Sequence, residues 1–432
     1  MAIKIKRYKN GATLVYKKRK ENCTTVSAGF LFGSNRDNYE EPTIHFCEHM
    51  FFKETENKNE EQLQDAMSKT FTMYNAATTT FYTYIDFCRS NKVLEDCFKL
   101  SSEMLLQTKY KAKTVNSEKG VIKQELVRRQ TSPYAKIQSA NMRILTTNYH
   151  SETQVLGSAE EIDNITPKKL KSFRDKNFIS QNFYIAVNSK LPFFKIKKLS
   201  EKYFINSLKS DPNYPVDKTV FSNFDKNGSL CIENYPYEKA MCKLTIKLKE
   251  LGDPIKTTNL LHMLAQISNG ITGELFKRLR EKGLVYDVYV NYYKMPIFAF
   301  EINFECTNEN VNKVLDKIGE IINQWKTIPF SEDLISQKKL NAVLSTDETN
   351  PPHVYPSALF STYLTNRKDI FTKRYAKDNK KAYNNITPAD LQNFCQKLFS
   401  NPELVYVTIL TDQPSEKFYN YEKIQKIITN IK

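Results

Sequence analysis

Thr43-Ile44-His45-Phe46-Cys47-Glu48-His49-Met50 carries two of the five histidines of a 432-residue chain, four positions apart, with a glutamate directly before the second. On a helix, positions i and i+4 leave one face about 40° apart, so both imidazoles can reach a single cation while the Glu48 carboxylate looks at the same place. Two neutral imidazoles and an acid are what a catalytic divalent metal, zinc above all, requires. Pro42 precedes the stretch and suits the opening of a helix. Cys47, two positions from either histidine, points about 160° away around such a helix and is expected to pack rather than coordinate.

Composition sets the frame. A chain of 432 residues exceeds what one hydrophobic core supports, so two domains of about 200 residues each are expected. Hydrophobic content of 40% and charged content of 26% are ordinary for a globular protein, and no run of about 18 apolar residues that could span a bilayer is present. The net charge of +16 is spread over nearly every segment, which argues against a nucleic-acid footprint; Lys17 to Lys20 and Lys195 to Lys198 read as solvated faces. Eight scattered cysteines without a C-x-x-C pair point to reduced thiols. The N-terminus moves straight into alternating residues without an apolar signal segment, so the expected setting is the cytoplasm, with the matrix of a mitochondrion or related organelle as the alternative.

Periodicity lays out two similar halves. In the first, Ile3-Lys4-Ile5-Lys6 and Thr13-Leu14-Val15-Tyr16 flank the turn Asn10-Gly11, a strand is expected at 23–32, and a β-hairpin over Tyr74 to Arg89. Helices are expected at Glu60 to Lys69 and at about 92–107, 116–131, 134–147 and 166–177, before a strand at Asn182 to Val187. Turn residues then dominate 209–228. The order repeats: strands at Ser229 to Tyr235 and Ala240 to Lys247, a helix at Thr257 to Ile267, a hairpin of Gly283 to Tyr293 with Ile297 to Cys306, helices at about 309–325 and 331–345, and a strand at Leu404 to Leu410. This implies an α+β fold of two homologous domains, each a mainly antiparallel sheet backed by helices: 1–210 with the metal residues, a linker at 211–228, and 229–432 without a metal site. In the second half the corresponding helix offers only His262, read as a core histidine.

A catalytic zinc ordinarily takes three protein ligands. The stretch Asn116 to Glu125 offers Glu118 and Glu125, seven apart and within about 20° on one helix face. From spacing alone, one of them could coordinate with the other behind it, or both could decorate a solvated face.

The order His45-x-x-Glu48-His49, the inverse of H-E-x-x-H, continues into Phe52-Lys53, and Glu125 stands 76 positions beyond His49 with Glu118 seven before it. Together these resemble the pitrilysin/insulinase family (M16) of zinc peptidases, including the mitochondrial processing peptidase and its bacterial relatives. The likeness extends to Leu31 through Asp37, to Asn75-Ala76-Ala77-Thr78 with Thr83-Tyr84, to Val155 through Thr166, and to Leu275 through Tyr286, and so covers nearly the whole chain.

The resemblance implies a zinc-dependent endopeptidase. His45, His49 and Glu125 would bind one zinc per chain, Glu48 would be the general base, and Glu118 would support the site from behind. It also implies that Asn75, Ala76 and Ala77 lie on the edge strand to which extended peptide adds, and that Arg280 and Tyr286 reach the substrate. Members of this length carry half of a four-domain chamber, which implies a homodimer or a heterodimer with a related subunit; the alternative is a subunit of a heterodimeric processing peptidase or a non-catalytic scaffold. Short or unfolded peptides, such as leaders, presequences or degradation peptides, are the implied substrates. Cys47 where Leu is usual, Glu54 where Gly commonly follows Phe-Lys, Met73-Tyr74 in place of a glycine pair, and a signature one residue short before Gly283 depart from the family pattern.

Overall fold

Strands rich in Val, Ile, Thr, Tyr and Phe pair, in a computed structural model of the protein, into two separate mixed sheets backed by helices. Residues 3–34, 42–79, 82–145, 155–214, 227–248, 252–293, 298–348, 375–413 and 420–429 are described. Parts of the expected linker and of the Leu31 to Asp37 segment, the end of the 134–147 helix, and Ile297 lie outside them.

The first sheet contains β1 (Ile3–Arg7), β2 (Thr13–Lys18), β3 (Cys23–Phe30), β4 (Met73–Thr78), β5 (Thr83–Ser90) and β6 (Phe183–Ser189), in the order β1-β2-β6-β3-β5-β4. All its ladders are antiparallel except β2 with β6. Between β1 and β2, Gly11 takes φ +95°, a conformation glycine adopts without steric cost. The second sheet contains β7 (Leu230–Asn234), β8 (Ala240–Lys247), β9 (Asp287–Tyr293), β10 (Ala299–Cys306) and β11 (Val405–Thr411), in the order β7-β11-β8-β10-β9, with β7 and β11 parallel and the rest antiparallel. Without β1, the two orders are the same plan: a parallel pair formed by the first and last strands of the unit, then antiparallel strands running to a free edge. The α+β class and the doubled architecture stand as expected.

Contacts divide the described residues into two units, one with 3–128, 155–214 and 375–377, the other with 129–145, 227–348 and 378–429. The division is not contiguous in sequence. Helix Pro133–Leu145, placed by its position within the 1–210 domain, packs instead on β7, β8 and β11. Its Asn141 is fully buried, its Nδ2 donating to Glu301 and Thr245 and its Oδ1 accepting from Thr408. Ile137 meets Met241 and Leu410, and Leu145 meets Tyr406. A buried amide with its partners on one sheet holds a helix there whatever its neighbours in sequence.

In the first unit, β3 is central. Its Val26, Ala28 and Phe30 face the core that also takes Ile44, Phe46, Cys47 and Met50 of the motif helix. Phe30 lies 4.4 Å from Phe178 and 5.5 Å from Phe183 between ring centroids, and Phe183 stacks on Phe204 at 5.6 Å. Each such fully buried ring stabilises by roughly 1.5–3 kcal/mol. Phe204 follows the helix Phe193–Tyr203, in which Lys195 and Lys198 are exposed, as expected of a solvated face, while Ile196 and Ser200 are buried.

The close pairing of β3 with β5 leaves no room at Gly29: a Cβ there would collide with the Thr83 carbonyl oxygen and with the backbone of Tyr84. Overpacking commonly costs about 1–3 kcal/mol, and here the neighbour is backbone in the sheet's interior. Gly29→Ala is therefore expected to lower the melting temperature by about 5 °C or more. An unchanged transition by circular dichroism would contradict this packing.

Candidate active site

Helix Thr43–Met50 follows Pro42, whose carbonyl accepts the Phe46 N–H at 3.0 Å, and it buries every residue except His49, which is partly exposed. Its apolar positions hold it in the core, so its polar positions His45, Glu48 and His49 are turned together to the other side. Cys47 is packed as expected: it is fully buried, takes the Tyr110 hydroxyl at 3.7 Å, and burial pushes its thiol up to about 12.

Helix Ala112–Gln130 supplies the acids. Glu125 Oε2 lies 3.4 Å from His49 Nε2 and 3.7 Å from His45 Nε2, and the three ligand atoms lie within 4.8 Å of one another. Tetrahedral coordination with bonds of about 2.1 Å sets its donors about 3.4 Å apart. Two imidazole nitrogens and one carboxylate oxygen at these separations fit zinc. Among the described residues this is the one cluster of three or more His, Cys, Asp or Glu side chains close enough to hold a metal ion.

Behind the cluster runs a chain of charged contacts. His49 Nδ1 donates to Glu118 Oε1 at 2.8 Å, leaving Nε2 directed at the candidate metal position. The other oxygen of Glu118 pairs with Lys53 Nζ at 2.9 Å, and Lys53 reaches Glu60 at 3.2 Å. Burial works against an imidazolium at His49, but the hydrogen bonds of Glu118 and Glu125 outweigh it and raise the ring to about 9. Burial opposes ionisation of Glu118 too, and is overcome by His49 and Lys53, so its carboxyl sits below the ordinary range. Glu48 goes the other way: burial raises it, with hydrogen bonds from the Thr78 side chain and backbone pulling against that rise. One buried acid is thus held ionised and its neighbour is left closer to protonation.

The pattern has a measurable consequence. With His49 titrating at about 9, metal-free protein carries that proton at pH 7 and zinc must displace it. Zinc titration of stripped protein in buffers of different ionisation enthalpy is expected to release about one proton per metal at pH 7, and affinity should rise with pH until about 9 and level off above it. Affinity flat from pH 6 to 9 would remove His49 from the ligand set.

Asn75, Ala76 and Ala77 lie on β4, which ends the first sheet and pairs only with β5 among the described residues. Asn75 is exposed and Ala76 buried. Arg280 and Tyr286 lie in the second unit. Arg280 closes a π-helical turn, Phe276–Arg280, and its guanidinium stands 5.8 Å from the ring centroid of Tyr286, over which Lys239 Nζ also stands at 4.1 Å. Tyr286 is 64% exposed, so the pair is presented to solvent. His262 is partly buried, with Gln266 on one ring nitrogen and Tyr292 on the other.

Three residues with work at the site were not assigned any by sequence. Lys53 neutralises Glu118, Thr78 bonds Glu48, and Glu54 braces the approach to the long helix through Lys111 at 2.8 Å and Thr114 at 3.2 Å. Lys53 and Thr78 stand within segments already singled out, but nothing local to either states its distant partner.

The family model described as insulinase (peptidase family M16) matches residues 14–157, and that of the peptidase M16 inactive domain matches 164–341. The chain belongs to peptidase family M16. A Rickettsia felis protein described as an uncharacterized zinc protease is 25% identical over 431 residues, covering 92% of this chain and 95% of its own. Among solved structures, a protease from Helicobacter pylori superposes with a TM-score of 0.81 at 18% identity, covering 95% of this chain and 99% of that one. The Escherichia coli periplasmic protease PqqL superposes with a TM-score of 0.75 at 15% identity, covering all of this chain and 50% of its own. The fold of this M16 chain is that of these peptidases.

Proposed function

We propose that this M16 chain is a zinc-dependent endopeptidase that cleaves short or unfolded peptides, with one zinc per chain held by His45, His49 and Glu125. The observation that carries the reading is the convergence of those three donors at coordination distance, with Glu48 beside them and Glu118 on His49. Zinc, when bound, polarises a scissile carbonyl and lowers the pKa of water. Glu48, its carboxyl raised by burial, accepts the proton of the attacking water and hands it to the departing amine. Glu118, kept ionised by Lys53, fixes the His49 ring and its tautomer. Thr78 holds Glu48 in place. The free edge of β4 at Asn75, Ala76 and Ala77 receives the substrate backbone as an added strand. Arg280 and Tyr286 supply a cation and a hydroxyl to the bound peptide.

The homologous halves are taken as 1–210 and 229–432, joined by 211–228, with the 133–145 helix lent to the second sheet. Because the chain spans half of PqqL, the reading includes a second subunit, identical or related, that completes an enclosure. Light scattering is expected to give a dimer for the active species; full activity in a homogeneous monomer would contradict that assembly.

Enclosure makes size and flexibility of the substrate decisive. Zinc-loaded protein incubated with one polypeptide in folded and in unfolded form is expected to cut only the unfolded form, the products being read by mass spectrometry. Equal cutting of both would reject the selective enclosure, and cutting of neither would reject the activity.

A further inference from the structure

The second sheet buries one face and leaves polar residues on the other. Cys242, Leu244, Val290, Phe300 and Ile302 lie in the core, so the alternate residues of β8, β9 and β10 share the opposite face. Helix Pro133–Leu145 packs on the same sheet, with Ile137 against Met241. Beside the helix a cavity of about 420 Å³ is left, within the usual size of a small-molecule site. Its lining comes wholly from the second unit, so the cavity is formed without any residue of the first.

Asn303 lines this cavity and is 4% exposed. Across the ladders it stands opposite Lys243 on one side and Tyr289 on the other. Lys243 Nζ donates to Asn303 Oδ1 at 2.7 Å, which fixes the amide with its oxygen toward the ammonium. Asn303 Nδ2 is buried and has no partner among the described residues. A buried N–H₂ group left unbonded is uncommon in folded proteins and calls for an acceptor.

The charges around it say what kind of molecule brings that acceptor. Lys243 is paired with the buried Glu301 at 2.9 Å, and Glu305 with Lys239 at 3.0 Å, so these charges are already matched. Arg129 and Asp287 also line the cavity, and neither makes an ion pair among the described residues. Asp287 stands opposite Glu305 and so lies diagonal to Asn303, roughly 7–8 Å away between Cα atoms. An anion alone would answer Arg129 and Asn303 Nδ2 but would enter beside an uncompensated Asp287. A cation alone would answer Asp287 and leave the buried amide without its acceptor. A ligand carrying both a carboxylate and an ammonium answers all three groups. Tyr134, Ile137 and Met241 in the lining offer an apolar wall to its side chain.

We propose that this cavity binds a small zwitterion, an α-amino acid or dipeptide with free amino and carboxyl ends and an apolar side chain. Its carboxylate meets Asn303 and Arg129, and its ammonium meets Asp287. The proposal does not rest on the peptidase reading, and the failure of either leaves the other standing. The test is calorimetric titration of the full-length Glu48→Gln protein, in which turnover plays no part, with L-leucine and with leucyl-leucine. At least one of the two is expected to bind with a Kd below about 1 mM, and the tighter one identifies the ligand. Acetylating the amine or amidating the carboxylate of that ligand is expected to weaken binding about tenfold or more. Asp287→Asn, made in the same protein, is expected to remove the penalty for the acetylated form. Arg129→Gln, at an exposed position, is expected to lessen the penalty for the amidated form. Asn303→Asp, which keeps the shape and exchanges the donor for an acceptor, is expected to weaken the free zwitterion about tenfold. No binding of either ligand, equal binding of the blocked forms, or affinities left unchanged by all three substitutions would overturn the site.

Discussion

Glu48→Gln is expected to lower zinc-dependent peptide cleavage by a factor on the order of 10²–10⁴ while leaving about one zinc per chain. The substitution keeps the shape of the side chain and its contact with Thr78, but an amide cannot take a proton from water. The Glu48 carboxyl is buried beside the cluster, where the other buried acid, Glu118, is already committed to His49 and Lys53. The two readouts separate its role from that of a ligand: metal content by mass spectrometry stays, turnover goes. Zinc loss in this variant would make Glu48 a coordinating or structural residue, and full activity would place the base elsewhere.

His49→Ala is expected to do the reverse, removing zinc and activity together. His49 holds two positions at once, with Nε2 3.4 Å from Glu125 and Nδ1 bonded to Glu118, so its deletion takes away a ligand and leaves Glu118 with Lys53 alone. Glu118→Gln should be graded rather than absolute. The ring keeps a neutral acceptor but loses its anion, and zinc affinity measured against a competing chelator is expected to fall about 10- to 100-fold. Equal zinc affinity in wild type and Glu118→Gln would reduce the charged chain from Lys53 to His49 to packing.

These effects show where sequence carried the account and where it stopped. The motif helix was legible because its two histidines and its acid are neighbours in a period of 3.6, a pattern that needs no tertiary knowledge. The strand pairs around Asn10-Gly11 and residues 74–89 were legible because turn residues and alternation are also local. Glu125 was not separable by spacing from a decorating glutamate: its side chain is 41% exposed, and only the packing of the long helix brings it to the histidines. Lys53 and Thr78 were invisible for the same reason, since their partners come from other elements. Helix Phe193–Tyr203 was hidden by its lysines, with only Ile196 and Ser200 buried to mark an inner face. Helix Pro133–Leu145 was legible as a helix, but its packing on β7, β8 and β11 was not, because an apolar stripe states that a face will be covered without stating by what.

The departures from the family pattern have local accounts as well. Cys47 fills a core position against Tyr110, and Glu54 replaces backbone freedom with two side-chain contacts ahead of the long helix. Neither removes a donor from the cluster.

The central claim is that the three-donor cluster binds zinc and that the zinc serves peptide cleavage. It is tested most directly by mass spectrometry of an unstructured peptide library incubated with the purified protein as isolated, after chelation, and after stoichiometric zinc is returned. The account predicts internal cleavages that vanish with the metal and come back with about one zinc per chain. Cleavage that persists in metal-free protein, or none by protein shown to hold zinc at His45, His49 and Glu125, would contradict it.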